Sequence, residues 1–171
     1  MTDYITIYIC VDDPPADVLA EFRRTMFSTR TVPPVPGEAG REGEVFDLAA
    51  LVPIPLDVLN TDGERDWMGE HWGCMAPATA TVILTDDGES FAFGFDTAWR
   101  APARVLDLMA ERFPQLSIRV ITRDNATDMC AEVLYDGGER VDECCAFHIA
   151  DLFDEDDTPV PKIFIRDKVE A

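Results

Sequence analysis

The residues best equipped for chemistry in this chain are few. Cys144-Cys145-Ala146-Phe147-His148 holds two thiols and an imidazole within five positions. Zinc takes thiolate and imidazole ligands in tetrahedral array, usually from spaced pairs. Adjacent cysteines on a strand point to opposite faces and make poor co-ligands. A cysteine working with His71 or His148 as nucleophile and base needs a contact that spacing alone does not supply. The Asp/Glu clusters lack the glycine and ligand spacing of a calcium-binding EF-hand loop, and no glycine-rich phosphate loop occurs. The sequence therefore predicts no catalytic set, no metal site and no cofactor, and leaves open an unusual carboxylate-based enzyme.

Two constellations remain. Trp67, His71, Asp96 and Trp99 read either as core packing or as an aromatic pocket with His71 and Asp96 as its polar groups. Trp67, Trp72 and Trp99 are expected to converge beside a phenylalanine face. The second constellation is acidic: Glu132, Asp142, Glu143 and the run Asp154, Glu155, Asp156, Asp157. The chain carries 34 acidic and 14 basic residues in 171, a formal net charge of −20. Between Asp124 and Asp157 twelve acidic residues face only Arg140, a local net of −11. Such a field disfavours direct contact with nucleic acid or an anionic membrane and favours a basic protein partner; a solubility surface or a salt-adapted host is the other reading.

The elements that must position these residues follow from periodicity. Tyr4 to Val11 alternates as a strand. Asp12-Asp13-Pro14-Pro15 breaks it, and Asp13 is the expected cap of a helix with Val18, Leu19, Phe22 and Met26 on its apolar face. Thr29 to Glu44 is rich in Pro, Gly and Glu and reads as an exposed loop, with partner recognition through its prolines as a further option. Phe46 to Pro55 packs an edge. Glu64 to Trp72 should be a short helix closed by Gly73, with Trp67 and His71 one turn apart.

Thr79 to Thr85 and Ser90 to Asp96 form a hairpin about Asp86-Asp87-Gly88-Glu89. Phe91, Phe93 and Phe95 share one face; Ala92 and Gly94 on the other would let a helix approach closely. Pro102 opens a helix through Phe113, stopped by Pro114. Leu116 to Thr122 is the next strand, Met129 to Tyr135 another, and Asp136-Gly137-Gly138-Glu139 turns into a returning strand from Arg140 to Ala150. Val160 to Arg166 could form a last edge strand.

Three stretches carry a resemblance: Asp66-Trp67-Met68-Gly69-Glu70-His71-Trp72-Gly73, Phe95-Asp96-Thr97-Ala98-Trp99-Arg100-Ala101-Pro102, and Arg112-Phe113-Pro114-Gln115-Leu116. From about Tyr4 to Glu139 the chain resembles the YubB-like ferredoxin-like domain family, carried largely by plasmids and phages. Members read W-x-x-x-N-W-G-T-K-W, then D-T-A-W-S-P-P, then F-P-x-L. His71 stands where they have Asn, and Cys74-Met75-Ala76 where they have Thr-Lys-Trp.

The expectation is thus one domain over 1–171, an α+β ferredoxin-like β-α-β-β-α-β sheet with helices on one face. Its core spans 4–139, with extra strands in an acidic extension over 140–171. No charged leader with an apolar run and no membrane-length stretch occurs, and five cysteines without framework spacing suit a reducing, cytoplasmic setting. Two functions are expected. One is a non-catalytic accessory protein of a mobile element that occupies a basic nucleic-acid-binding protein as a DNA mimic, for example as an anti-CRISPR or anti-restriction inhibitor. The other is a ligand or enzymatic role at the Trp67/Trp99 region. Exposed strand edges leave a homodimer open.

Overall fold

The computed structural model describes residues 4–32, 41–127 and 129–148. Strand β1 (Tyr4–Asp12) leads into helix α1 (Ala16–Met26), followed by the ribbon strands β2 (Phe27–Val32) and β3 (Arg41–Phe46). A single 3-10 turn (Leu48–Ala50) and helix α2 (Glu64–His71) precede β4 (Thr79–Asp86) and β5 (Ser90–Ala98). Helix α3 (Ala103–Arg112), then β6 (Ser117–Asp124), β7 (Met129–Asp136) and β8 (Glu139–His148) complete the described chain.

The main sheet has the order β4-β5-β1-β6-β7-β8, every neighbouring pair antiparallel. Its first four strands follow the ferredoxin-like order, in which each helix links two parallel strands separated by one antiparallel strand. The expected α+β fold is therefore observed. Strands β7 and β8 extend it, joined by Gly137 and Gly138 at φ of +60° and +85°. Positive φ at both central residues suits the right-handed twist of a two-residue hairpin, which explains the paired glycines.

One face of the sheet carries the core. Ile7, Ile9 and Val11 of β1, Phe91, Phe93 and Phe95 of β5, and Ile118 and Val120 of β6 are buried there. Phe22 and Met26 of α1, Met68 of α2, and Val105, Leu106 and Met109 of α3 join the same cluster, so all three helices lie on this face. Phe22 meets Phe113 edge-on with ring centroids 5.2 Å apart. Each fully buried Phe or Leu contributes about 1.5–3 kcal/mol.

Several expectations need correction. Asp13 does not cap α1: Pro15 holds the N-cap position without a side-chain bond, and Asp13 takes φ of +44° while its N–H donates to Glu89 O at 2.7 Å. The exposed loop expected over Thr29 to Glu44 is in part the antiparallel ribbon β2–β3, paired from Phe27–Phe46 to Val32–Arg41. Its base belongs to the core rather than to an edge, since Phe46 stacks on Phe95 at 4.8 Å and Leu48 is buried. Composition hid this because beyond the Phe27–Phe46 base the ribbon is mostly polar and the stretch between its strands is rich in Pro and Gly. Among the described residues no helix packs on Gly94. Tyr8, across the strand pair, lies against it, and a Cβ there would meet the Tyr8 ring at 3.3 Å.

Candidate functional site

Helix α2 distributes its side chains in three stripes. Met68 and Trp72 enter the core. Trp67 and His71 stack one turn apart, ring centroids 4.4 Å, on a half-buried flank. Asp66, Gly69, Glu70 and Gly73 recur at helical spacing on a third stripe, which helical geometry places on one side. Gly73 closes the helix at φ of +91°, its N–H donating to Met68 O at 3.2 Å. No other residue takes that conformation without strain.

The end of β5 comes alongside this third stripe. Thr97 Oγ1 donates to Arg100 O at 2.9 Å, and Arg100 N–H to Ala98 O at 2.9 Å, folding the chain into a tight corner. Trp99 sits at its apex with φ of +73° and 43 % of its surface exposed. A bulky residue in the left-handed region costs about 1–3 kcal/mol and persists only where its surroundings impose it. Between this corner and α2 lies a groove of about 260 Å³, lined by Trp99, Arg100, Met75, Asp66, Gly69 and Glu70, with Gly73 at its end. The Met75 side chain lies against Gly69, 3.7 Å from the position a Cβ there would take, an ordinary van der Waals contact.

The expected pocket of Trp67, His71, Asp96 and Trp99 is not assembled. Asp96 follows the strand alternation to the face opposite the helices, where it accepts from Thr6 Oγ1 at 2.7 Å. The three tryptophans do not converge either. Trp72 is core, 2 % exposed, with Nε1 donating to Val52 O at 2.8 Å. Trp67 packs edge-on against it at 6.0 Å, and Trp99 stands apart on the surface. The groove residues that sequence reasoning missed are Asp66, Glu70, Met75 and Arg100. The i, i+4 spacing of Asp66 and Glu70 was a usable signal; the approach of Met75 and Arg100 was not.

Among the acidic residues, Glu132 is half-buried and pairs with Arg119 Nε at 3.2 Å. Desolvation raises its carboxyl above the usual range, Arg119 opposes that, and nearby Asp142 adds to it. Asp142 and Glu143 are exposed on β8; Glu143 accepts from Arg140 Nη1 at 3.4 Å. Asp154, Glu155, Asp156 and Asp157 lie outside the described residues, as does the strand expected over Val160 to Arg166. The side chains of Cys144, Cys145 and His148 also lie outside them.

Several cations are committed to intramolecular pairs. Arg23 bridges Glu44 at 3.0 Å and Asp86 at 2.6 Å, tying α1 to β3 and β4. Arg140 bridges Asp107 at 2.9 Å, and Tyr135 donates its hydroxyl to the same carboxylate at 2.7 Å. Arg112 meets Glu21 at 3.5 Å. Burial pushes the Cys74 thiol up to about 11, which makes it a poor nucleophile at neutral pH.

No family model matches the chain, and no curated protein matches it. Among solved structures it is similar to the protein api92 from Yersinia pseudotuberculosis, of the DUF1281 family, with a TM-score of 0.51 and 17 % identity over 64 % of this chain. The matched part is 43 % of that protein, so this chain is similar to less than half of its length. At this identity the likeness is one of fold.

Proposed function

We propose that this protein acts by binding, as a non-catalytic acidic accessory protein whose partner is a basic, nucleic-acid-binding protein. The observation that carries the reading is the charge ledger: Arg23, Arg112, Arg119 and Arg140 are held in ion pairs while the chain keeps a net charge of −20. Carboxylates such as Asp66, Glu70 and Asp142 are exposed to solvent. A groove evolved for phosphates attracts such a surface, and the resemblance to the YubB-like family favours a plasmid or phage setting and a cytoplasmic site of action. Inhibition of a host defence nuclease by DNA mimicry is the concrete form. Among the described residues no helix is long and apolar enough to cross a membrane.

Phosphate-binding grooves lose affinity steeply with salt, and a mimic inherits that dependence. The test is capture from bacterial lysate at low and high salt, followed by competition with duplex DNA for the captured protein. A nucleic-acid-binding protein retained only at low salt and displaced by DNA supports the reading. Capture of nothing at either salt, or capture that DNA leaves untouched, overturns it.

A further inference from the structure

We infer that the groove under Trp99 is a slot for one arginine side chain of the basic partner, an assignment that rests on the binding role proposed above. The chemistry of the groove is specific. Trp99, 43 % exposed, lines the groove, and Asp66 and Glu70 place two exposed carboxylates one helical turn apart on its α2 side. A guanidinium is planar and always charged; it stacks on an indole and forms paired hydrogen bonds to a carboxylate, whereas an ammonium does neither as well. Arg100 on the rim offsets one of the two carboxylates, leaving the groove net negative. At about 260 Å³ it is smaller than the roughly 300–1,000 Å³ of drug-sized ligand pockets, and its size suits a single long side chain.

The surroundings are built to hold the indole out. The corner that carries Trp99 is clamped by the Thr97 and Arg100 hydrogen bonds, and Met75 N–H adds a longer one to Ala98 O at 3.4 Å. Gly69 and Gly73 bring the α2 backbone into the groove wall without a side chain to fill it. Two stretches singled out in the sequence, Asp66 to Gly73 and Phe95 to Pro102, thus meet at this one surface feature. Tyr4 and Met75, both substantially exposed, continue the apolar rim toward a neighbouring depression lined by Arg65, Pro77 and Ala98.

A hexa-arginine peptide titrated into the full chain tests this, with hexalysine alongside. The readouts are the indole N–H resonance of Trp99 and the dissociation constant at low salt. The slot predicts that the Trp99 resonance moves saturably and that hexa-arginine binds more tightly than hexalysine. It also predicts that Trp99→Ala and the pair Asp66→Asn/Glu70→Gln each weaken binding by about tenfold, while Asp142→Asn/Glu143→Gln changes it little. If the Trp99 resonance stays still and Trp99→Ala binds like the parent while Asp142→Asn/Glu143→Gln weakens binding, the slot is wrong and the acidic-surface reading stands. If the parent binds neither peptide, both readings fall. The wild-type resonance decides the matter even where a variant folds poorly.

Discussion

Trp72 and Trp99 show how one residue type serves two opposite purposes in this molecule. Trp72 lies under α2 with its indole N–H bonded to Val52 O, in contact with a core that also holds Phe22, Phe46 and Phe93. Its backbone is ordinary, and its surroundings gain apolar contact from every atom of the ring. Trp99 is held at a positive φ, on a corner made by its own neighbours' hydrogen bonds, with nearly half its surface in water. Stability explains the first and does not explain the second. The core end of the molecule is packed for folding; the groove end keeps an aromatic surface and two carboxylates in water at a conformational cost.

Mutations that separate the two ends sharpen this contrast. The largest loss is expected at the centre of the core: Phe93→Ala should cost about 3–5 kcal/mol in denaturant unfolding, because Phe22, Phe27, Phe46 and Phe91 all pack around that ring. Trp72→Phe should cost about 1–3 kcal/mol, since it removes the partner of a partly buried carbonyl as well as ring area. Gly73→Ala should cost about 1–2 kcal/mol from its left-handed backbone, with added crowding where a Cβ meets Ala101 O and Ala103 N at 3.4 Å.

A smaller effect is expected at Glu132. Its folded carboxyl titrates above the ordinary value, so the folded state holds its proton more tightly than the unfolded state does. Stability from this group is therefore present at low pH and is lost as pH rises from about 4.3 through the raised folded value. Measured against Glu132→Gln by urea unfolding, the parent should lose ground as pH rises over that window. The opposite trend would mean that the Arg119 pair outweighs desolvation. Trp99→Ala, at a residue with 43 % of its surface already in water, should cost less than the core changes, about 1 kcal/mol. A loss of several kcal/mol there would dissolve the contrast and return Trp99 to the core.

Much of the fold was legible because strand and helix periods are written directly in residue order. The Phe91, Phe93, Phe95 alternation, the Pro102 helix start and the paired Gly137-Gly138 turn are local signals, and each is observed. The ribbon β2–β3 was not legible. Phe27, Thr29, Thr31 and Val32 favour a strand, but the Pro- and Gly-rich stretch between the two strands masked the pairing. What stabilises the ribbon is the burial of Phe27 and Phe46 against β5, a contact distant in sequence. The expected cap at Asp13 failed because its backbone N–H is drawn to Glu89 on the β4–β5 hairpin, another long-range partner.

By itself the sequence determined the α+β class, the order of the main elements, the −20 charge and the i, i+4 spacing of Asp66 and Glu70. All of these depend on composition or on neighbours a few residues apart. Only the tertiary structure decided which tryptophan is core, that Asp96 turns to the face opposite the helices, and that α2 and the corner at Trp99 enclose a groove with Met75 and Arg100. Those outcomes depend on which surfaces bury each other once the sheet has formed. Because apolar burial is non-directional, residue type alone cannot say which of three tryptophans the core will take.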